Sequence, residues 1–592
     1  MSRKPRPLVT LLDSDPAEMS KVEQLKSGSE GLFFVAPPGR DAETHPFRDE
    51  IDAMTAGEAD TIGNEAKELS KHFGIYKQQE RGERGRKTGD YIFMVRLKLP
   101  AGGELSPEQW AALDQAADRF ANQTLRLTTR QGIQFHYVPG RKLGPLVRYL
   151  NQEVPDRGYQ LTTLGACGDV NRNTMCSPID DLDPEFPLSS RELAHEIAQE
   201  LAPRTSSYYQ IFLSDRDGSS LAPMTSEEPI YGSQYLPRKF KVGIAHPNDN
   251  SIDLLTQDVG LLPIVVGGLE RGRAASYDLY TGGGLGHTHN QPQTKQLLGI
   301  YLGRIPRAQV TTAVRAIATL QKEHGERKDR RQARWKYTIR RLGPERVKEL
   351  LRTRFELKLD DAEPQPIPPV CYHMGWNREA GKDDLWWLGL PVQNGRLQQP
   401  TRRALREVVE ELQLGVRITA NQDLLLCHVP GDRRSWVDER LSRDAVARAE
   451  TLSPLRTQSF ACPAKPTCGL AMTEAEHVLP KYLSELEARG LGDVDVIIRM
   501  AGCPNSCSRP PTAEIGIYGY GKNDHVIQVG GSREGTRIGK VLYERVPEEQ
   551  MAAVLAGLVA AIRDHNPHGL PAGEFLHRTP EAELKRFVGL EV

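Results

Sequence analysis

Long apolar runs, net charge and cysteine are what this sequence has least of. Its 77 basic and 78 acidic residues leave a formal charge of −1, which excludes a surface built as a whole for nucleic acid. The longest apolar stretches, such as Leu261 to Val266, fall far short of the ~20 residues that span a bilayer, so no membrane partner is expected. The first residues, Met1-Ser-Arg-Lys-Pro-Arg-Pro, lack the apolar core of a secretory signal. Eight cysteines in 592 residues fit a reducing compartment, the cytoplasm, better than a disulfide framework. No Walker-type phosphate loop is present. With 38% hydrophobic and 26% charged residues the chain reads as globular. Its length suits three or four domains of ~150 residues, with room for buried groups.

Four of those cysteines carry the strongest signal. Cys462 and Cys468 form Cys-x5-Cys; after 34 residues Cys503 and Cys507 form Cys-x3-Cys. Their settings, Ala-Cys-Pro-Ala-Lys-Pro-Thr-Cys and Gly-Cys-Pro-Asn-Ser-Cys-Ser-Arg, suit stiff loops wrapped around a cofactor. Four thiolates match the four irons of a [4Fe–4S] cluster. Structural zinc is the alternative, disfavoured because its pairs are usually Cys-x2–4-Cys.

An internal repeat organises the chain. Leu125-Arg-Leu-Thr-Thr-Arg-Gln-Gly-Ile-Gln-Phe-His-Tyr-Val-Pro-Gly aligns with Val416-Arg-Ile-Thr-Ala-Asn-Gln-Asp-Leu-Leu-Leu-Cys-His-Val-Pro-Gly at an offset of 291. The same offset pairs Leu97-Lys-Leu-Pro with Leu388-Gly-Leu-Pro. Between these anchors each copy predicts a helix, Pro107 to Ala121 with Ser106 as N-cap, and Arg402 to Leu412. Each copy is thus an α+β unit, and two of them make one pseudo-twofold domain. Two further regions each contain a glycine turn, Thr281-Gly-Gly-Gly-Leu-Gly and Val529-Gly-Gly-Ser-Arg-Glu-Gly, so the duplication extends to them. The first turn lacks the helix pattern of a dinucleotide site and reads as an anion-binding turn.

The cysteine segments, with Met472, Glu474, Ala475, Glu476 and Arg499-Met-Ala-Gly-Cys-Pro-Asn-Ser-Cys, resemble the signature of the sirohaem sulfite and nitrite reductases. The resemblance continues through Leu125-Arg-Leu-Thr-Thr-Arg-Gln, Gly168-Asp-Val-Asn-Arg-Asn and Tyr235-Leu-Pro-Arg-Lys-Phe-Lys, and covers most of residues 70 to 565. It implies sirohaem beside the [4Fe–4S] cluster, with Cys507 also an axial ligand of the sirohaem iron. The substrate pocket it implies holds Arg96, Arg172, Lys239 and Lys241, with sulfite as substrate. Arg126, Arg130, Gln131, Gln134, His136, Asn171, Asn173, Arg334, Asn505 and Arg509 are the cofactor-binding candidates it supplies. Arginine suits this task, being always charged and able to clasp a carboxylate with two donors. Some members link a cysteine at the place of Cys167 to a tyrosine, for which Tyr76 is the candidate. The Lys239-Phe-Lys241 pair goes with sulfite, whereas nitrite reductases tend to carry Asn at the second position. Leu164-Gly-Ala-Cys-Gly-Asp-Val-Asn-Arg-Asn favours ferredoxin over a flavoprotein subunit as electron donor. A ferredoxin-dependent nitrite reductase and a non-catalytic metal protein are the rival readings.

The expected architecture is α+β, with three domains and an internal pseudo-twofold duplication. Residues 1–70 read as an extended arm. Residues 71–155 and 370–440 are the two ferredoxin-like halves, 156–355 a sirohaem and substrate domain, and 441–592 a [4Fe–4S] and sirohaem domain. Asp360 to Pro369 is a linker between them. The run Arg327 to Arg341, with eight basic residues in 15, is expected as a solvated helix face, with Arg330, Arg334 and Lys336 as further cofactor candidates.

Overall fold

The computed structural model describes residues 19–29, 46–81, 87–155, 161–213, 230–232, 234–265, 272–381, 383–521, 523–566 and 568–589. Four sheets organise them. Two are antiparallel and correspond to the repeated sequence. In the first, strands Ile75–Arg81, Lys87–Leu97, Ile133–Pro139, Leu125–Leu127 and Arg396–Leu397 lie side by side; in the second, Gly375–Arg378, Leu385–Leu390, Leu424–Pro430 and Gly415–Ile418 do. The copies trade edges. Arg396 and Leu397 of the second copy pair with Arg126 and Leu125 of the first, while Leu105 of the first bridges to Val416 of the second.

Each copy closes with a helix over its sheet. Pro107–Phe120 opens with a complete capping box: Ser106 accepts from the Gln109 amide and Gln109 accepts from the Ser106 amide, an arrangement that satisfies two otherwise orphaned donors. The matching helix, Thr401–Leu412, is two residues shorter. That difference corrects the expectation of one constant offset. Past the helices Gln131 and Gln422 are equivalent, both at positive φ, at the offset of 291. Ahead of them the equivalence slips to 293: Gly102 and Gly395 correspond, with φ of 79° and 72°. A Cβ on Gly102 would sit 2.6 Å from the Ile418 carbonyl, and one on Gly395 2.5 Å from that of Leu127, so only glycine fits either place.

The other two sheets share one topology. Met175–Cys176, Val242–Ile244 and Val259–Ile264 run parallel, and Ser276–Thr281 and Ile300–Pro306 continue antiparallel. Phe460–Ala461, Ile498–Ala501, Ile515–Gly521, Asp524–Val529 and Lys540–Pro547 repeat that order and those directions. The glycine turns follow the fourth strand in both. A buried helix backs each sheet, Val310–His324 and Met551–Asp564. The fold is mixed helix and sheet with duplicated ferredoxin-like halves, as the sequence implies.

Two further expectations need correction. Residues 46–70 are not an extended arm: Pro46–Ala56 and Asn64–Ser70 are helical, and Phe47, Ile51, Met54 and Leu69 enter the main core. The apolar spacing of Phe47, Ile51 and Met54 is helical, and it outweighs the acidic composition. Residues 1–18 and 30–45 of that arm lie outside the described residues. The run Arg327 to Arg341 is not a solvated face either. Lys336 donates to the carbonyls of Gly284 and Gly286, and Arg340 to those of Gly282 and Leu298. The linker crosses beside the first mixed sheet, where Asp360 bridges to Arg304, and its continuation reaches the second half, Val370 donating to the Arg533 carbonyl.

Candidate functional site

A cleft with ≈ 420 Å³ of atom-free space lies where the antiparallel unit and both mixed sheets meet. Thr129 and Arg130 reach it from the first ferredoxin-like half. Lys239, Lys241, Thr256, Gln257, Leu285, Gly286 and Arg334 come from the first mixed-sheet half, and Asn505, Ser506, Cys507 and Arg509 from the second. Five of these are cations.

Arg334 and Arg509 have carboxylate partners, Asp258 and Asp253, whereas Arg130, Lys239 and Lys241 have no ion pair among the described residues. Arg130 donates to Gln257 Oε1 at 2.9 Å and to the carbonyls of Asn173 and Val242. Arg334 reaches both oxygens of Asp258 at 3.2 Å. Arg509 holds the carbonyls of Ser251 and Ala420. Lys239 and Lys241 make no hydrogen bond or ion pair among the described residues. Burial and then the neighbouring Lys241, Arg238, Arg334 and Arg172 push the Lys239 ammonium well below the usual lysine range. Burial, Arg130 and Arg334 do the same to Lys241. Burial followed by Arg172 lowers Arg130 to about 9. The Nε atoms of Arg130, Arg334 and Arg509 are buried without a partner, at a cost of roughly 1–3 kcal/mol each. A polyanion in the cleft would satisfy all of these groups, so the residues fit an acidic tetrapyrrole and an oxyanion.

The thiols lie along one side. Cys462 follows the strand Phe460–Ala461, and Cys503 and Cys507 follow Ile498–Ala501, its parallel neighbour. Cys462 and Cys503 are buried, Cys468 half-buried and Cys507 exposed. Burial and then Cys507, Cys503 and Cys468 raise the Cys462 thiol; burial and Cys507 bring Cys503 up to about 12. Thiols that hinder one another's ionisation this way become thiolates together when metal cations bind them. The Gly502 amide already points at Cys462 Sγ (3.3 Å) and the Asn505 side chain at Cys503 Sγ (3.5 Å). Among the described residues no three His, Cys, Asp or Glu side chains converge on a single point.

The remaining sequence-derived residues are distributed around the cleft. Arg96, Gln134, Arg126 and Arg396 stand on one rung of the first antiparallel sheet. Arg126 turns to Gln422 Oε1 (2.8 Å) and the Ala461 carbonyl (3.0 Å), beside Cys462. Gln131 spends its whole amide on the backbone, donating to the carbonyls of Cys176 and Ile418 and accepting from the Cys176 amide. It therefore ties the halves together. His136 sits between Gln134 and Arg396. Asn173 donates to three carbonyls, those of Leu99, Arg130 and Gln131, and Asn171 to Thr174 Oγ1; both side-chain oxygens stay unpaired.

Arg172 donates to the Gly168 carbonyl at 2.8 Å. Its guanidinium is buried, and Tyr76, Cys167 and Asp169 together outweigh that burial and raise it. Tyr76 and Cys167 are thus neighbours beside Arg172. Neither Arg96 nor Arg172 lines the cleft. The turn at Thr281 departs from its anion-binding expectation, since the amides of Gly282, Gly283 and Gly284 already bond the carbonyls of Asp258, Gln257 and Leu297. Thr129, whose hydroxyl donates to the Cys507 carbonyl at 2.8 Å, was missed, although it lies between Arg126 and Arg130 in the repeat. Gln257 and Asp258 were missed too, and no local pattern marks them.

Comparison with known proteins shows the family. The model for the nitrite and sulphite reductase 4Fe-4S domain matches residues 167–359. That for the nitrite/sulfite reductase ferredoxin-like half domain matches 84–153 and 378–443. The chain belongs to the nitrite and sulfite reductase family, whose sulfite reductases carry sirohaem and a [4Fe–4S] cluster. It is 36% identical to the sulfite reductase [ferredoxin] of Synechococcus elongatus, over 97% of this chain and 91% of the relative. It is 34% identical to the sulfite reductase [NADPH] hemoprotein beta-component of Anoxybacillus flavithermus, over 96% and 97%. The Mycobacterium tuberculosis NirA structure shares the fold, with a TM-score of 0.73 and 21% identity over 94% of this chain and all of that one. The first family model matches the mixed-sheet half without the four cysteines; these lie on its structural counterpart. Among the described residues no helix is long and apolar enough to cross a membrane.

Proposed function

We propose that this chain is an assimilatory sulfite reductase, reducing sulfite to sulfide with six electrons. The observation that carries the reading is the ring of Arg130, Lys239, Lys241, Arg334 and Arg509 around a cleft that Cys507 enters. Cys462, Cys468, Cys503 and Cys507 would hold a [4Fe–4S] cluster and the cleft beside Cys507 a sirohaem, which together would supply a coordination site for sulfur and electrons one at a time. Arg130, Arg334 and Arg509 would hold the carboxylates of the tetrapyrrole. Lys239 and Lys241 neutralise the oxygens of sulfite, with Arg96 and Arg172 behind them. Each time an S–O bond breaks, a lysine ammonium gives its proton to the departing oxygen and recovers it from solvent; bisulfite, seven protons and six electrons give hydrogen sulfide and three waters. Burial and neighbouring cations lower both lysines from the usual lysine range, which makes their ammonium groups readier proton donors.

The second lysine favours sulfite over nitrite: a doubly charged anion gripped through three oxygens gains more from a further cation than a singly charged one with two. Electrons come from a separate protein, and the segment Leu164 to Asn173 favours ferredoxin. The similarity to an NADPH hemoprotein component supports a flavoprotein subunit as the second reading. Functionally the chain divides into the ferredoxin-like halves at 71–155 and 370–440, the substrate half at 156–355 and the cluster half at 441–592. The test supplies the purified holoprotein with sulfite and either reduced ferredoxin or NADPH with a flavoprotein reductase, and counts sulfide. Sulfide with ferredoxin is expected. Turnover with the flavoprotein alone contradicts the donor, and none with either contradicts the reaction.

A further inference from the structure

A second cavity, with ≈ 560 Å³ of atom-free space, lies between the second ferredoxin-like half and the cluster half, apart from the cleft described above. Pro391, Val392, Leu452, Phe460, Pro480 and Leu483 give it apolar walls. Asp423 enters it and is 7% exposed. Its Oδ1 accepts from the Val392 amide at 2.8 Å, and its Oδ2 has no partner among the described residues. The other polar side chains of the wall, the exposed Gln393 apart, are engaged within the protein. Asn394 donates to the Glu476 carbonyl and accepts from the Ala461 amide. Asn421 donates to the Cys371 carbonyl and accepts from Arg509. The hydroxyls of Thr457 and Ser459 donate to the carbonyls of Pro454 and Leu455. Arg456 is held by Glu487 through Nε and Nη2 and makes no ion pair with Asp423.

The turn that carries Asp423 has an equivalent in the first copy. The Asp423 amide donates to Thr419 Oγ1 at 3.0 Å and the Thr419 amide to the Asp423 carbonyl at 2.9 Å; Gly132 and Thr128 do the same at 3.1 and 2.9 Å. At the offset of 291, Asp423 stands where the first copy has Gly132, and Asn421 where it has Arg130. Thr457 stands three residues before the strand Phe460–Ala461, as Arg172 does before Met175–Cys176. The second copy thus has neutral groups in place of two cations and a carboxylate in place of a glycine. The turn forms with glycine, and an asparagine oxygen would accept from Val392 equally well, so neither the backbone nor that bond calls for the charge.

We propose that this cavity binds a small organic monocation, a primary ammonium group on an apolar body, with Asp423 as its counter-ion. Apolar walls with one converging polar group suit such a ligand, and a single unpaired carboxylate answers a single positive head. Burial holds the Asp423 carboxyl of the empty cavity well above the usual carboxylate range; an ammonium against Oδ2 would bring it back to the ionised form. The site calls for neither sirohaem nor sulfite, so it stands independently of the proposed reaction.

Calorimetry on the holoprotein with benzylamine, and with benzyl alcohol as its neutral isostere, tests this. Benzylamine should bind the wild type at least about tenfold more tightly than benzyl alcohol, and Asp423→Asn should remove that difference by weakening benzylamine alone. A crystal soaked with benzylamine should show its nitrogen within hydrogen-bonding distance of Asp423 Oδ2. The comparison of the two ligands on the wild type and the soaked crystal need no variant, so a misfolded Asp423→Asn leaves both readings intact. Absence of benzylamine binding, equal affinity for the amine and the alcohol, density outside the cavity, or undiminished benzylamine affinity in folded Asp423→Asn would each overturn the assignment.

Discussion

Asp253 and Arg509 hold equivalent places in the two mixed-sheet halves, and their side chains meet at 3.1 Å. Each has a left-handed backbone, with φ of 51° and 59°, and each opens a three-residue helical turn, Leu254–Thr256 and Pro510–Thr512. Contact between equivalent residues places the pair on the pseudo-twofold axis. Asp253 also takes Arg499 at 2.7 Å, with both side chains 1% exposed. One carboxylate therefore answers two buried guanidinium groups at the wall of the cleft. Asp253→Asn should cost about 3–5 kcal/mol, the usual result of stranding a buried charge. Urea unfolding followed by far-UV circular dichroism checks it, and a loss below about 1 kcal/mol would contradict the pairing.

The second copy has its own charged lock. His428 lies between Glu104 Oε1 at 3.0 Å and Glu379 Oε2 at 2.9 Å, and those two hydrogen bonds raise its pKa to about 10. A histidine raised above its unfolded value of ~6.5 stabilises fully below that pH and loses its contribution as pH rises through the folded value. The stability gap between wild type and His428→Gln should thus be widest below pH ~6.5 and close towards pH 10. A gap independent of pH between those limits would show that the imidazolium is not what stabilises.

Cys507→Ser should yield protein with little iron and no tetrapyrrole absorption, because a hydroxyl is a poor iron ligand beside thiolates. Iron and acid-labile sulfide assays with the visible spectrum measure this. Full cofactor content in the variant would move the bridge elsewhere.

Anion affinity should fall as pH rises. Lys239 and Lys241 have pKa values pushed down by burial and by neighbouring cations, so in the empty cleft they lose their protons below the usual lysine range, and with them the attraction for sulfite. Calorimetry across pH 6–9 in the holoprotein should show weaker binding at the alkaline end, and Lys241→Asn should flatten that slope. An unchanged slope in the variant would remove Lys241 from the pocket.

Much of this was legible in local patterns. The four cysteines, the repeat and the Ser106 cap each depend on neighbours a few residues apart, or on similarity of one copy to the other. The copies also explain Gln131 and Gln422, which point their amides at the carbonyls of Cys176 and Ala461, equivalent first strands of the two mixed sheets. What stayed hidden depends on contacts across the chain. Asp258, Gln257 and Asp253 carry no local signature, and their roles arise only when the halves close on each other. Gln131 is a cofactor candidate through the family resemblance alone, and its bond to the Cys176 carbonyl, 45 residues away, has no local signature.

Side-by-side catalytic efficiencies of the holoprotein and Lys241→Asn for sulfite and nitrite, with sulfide and ammonia counted against electrons consumed, test the central claim most directly. The account predicts a wild-type preference for sulfite, one sulfide per six electrons, and a loss of at least about tenfold more on sulfite than on nitrite in the variant. A wild-type preference for nitrite, or equal losses on both substrates, would contradict it.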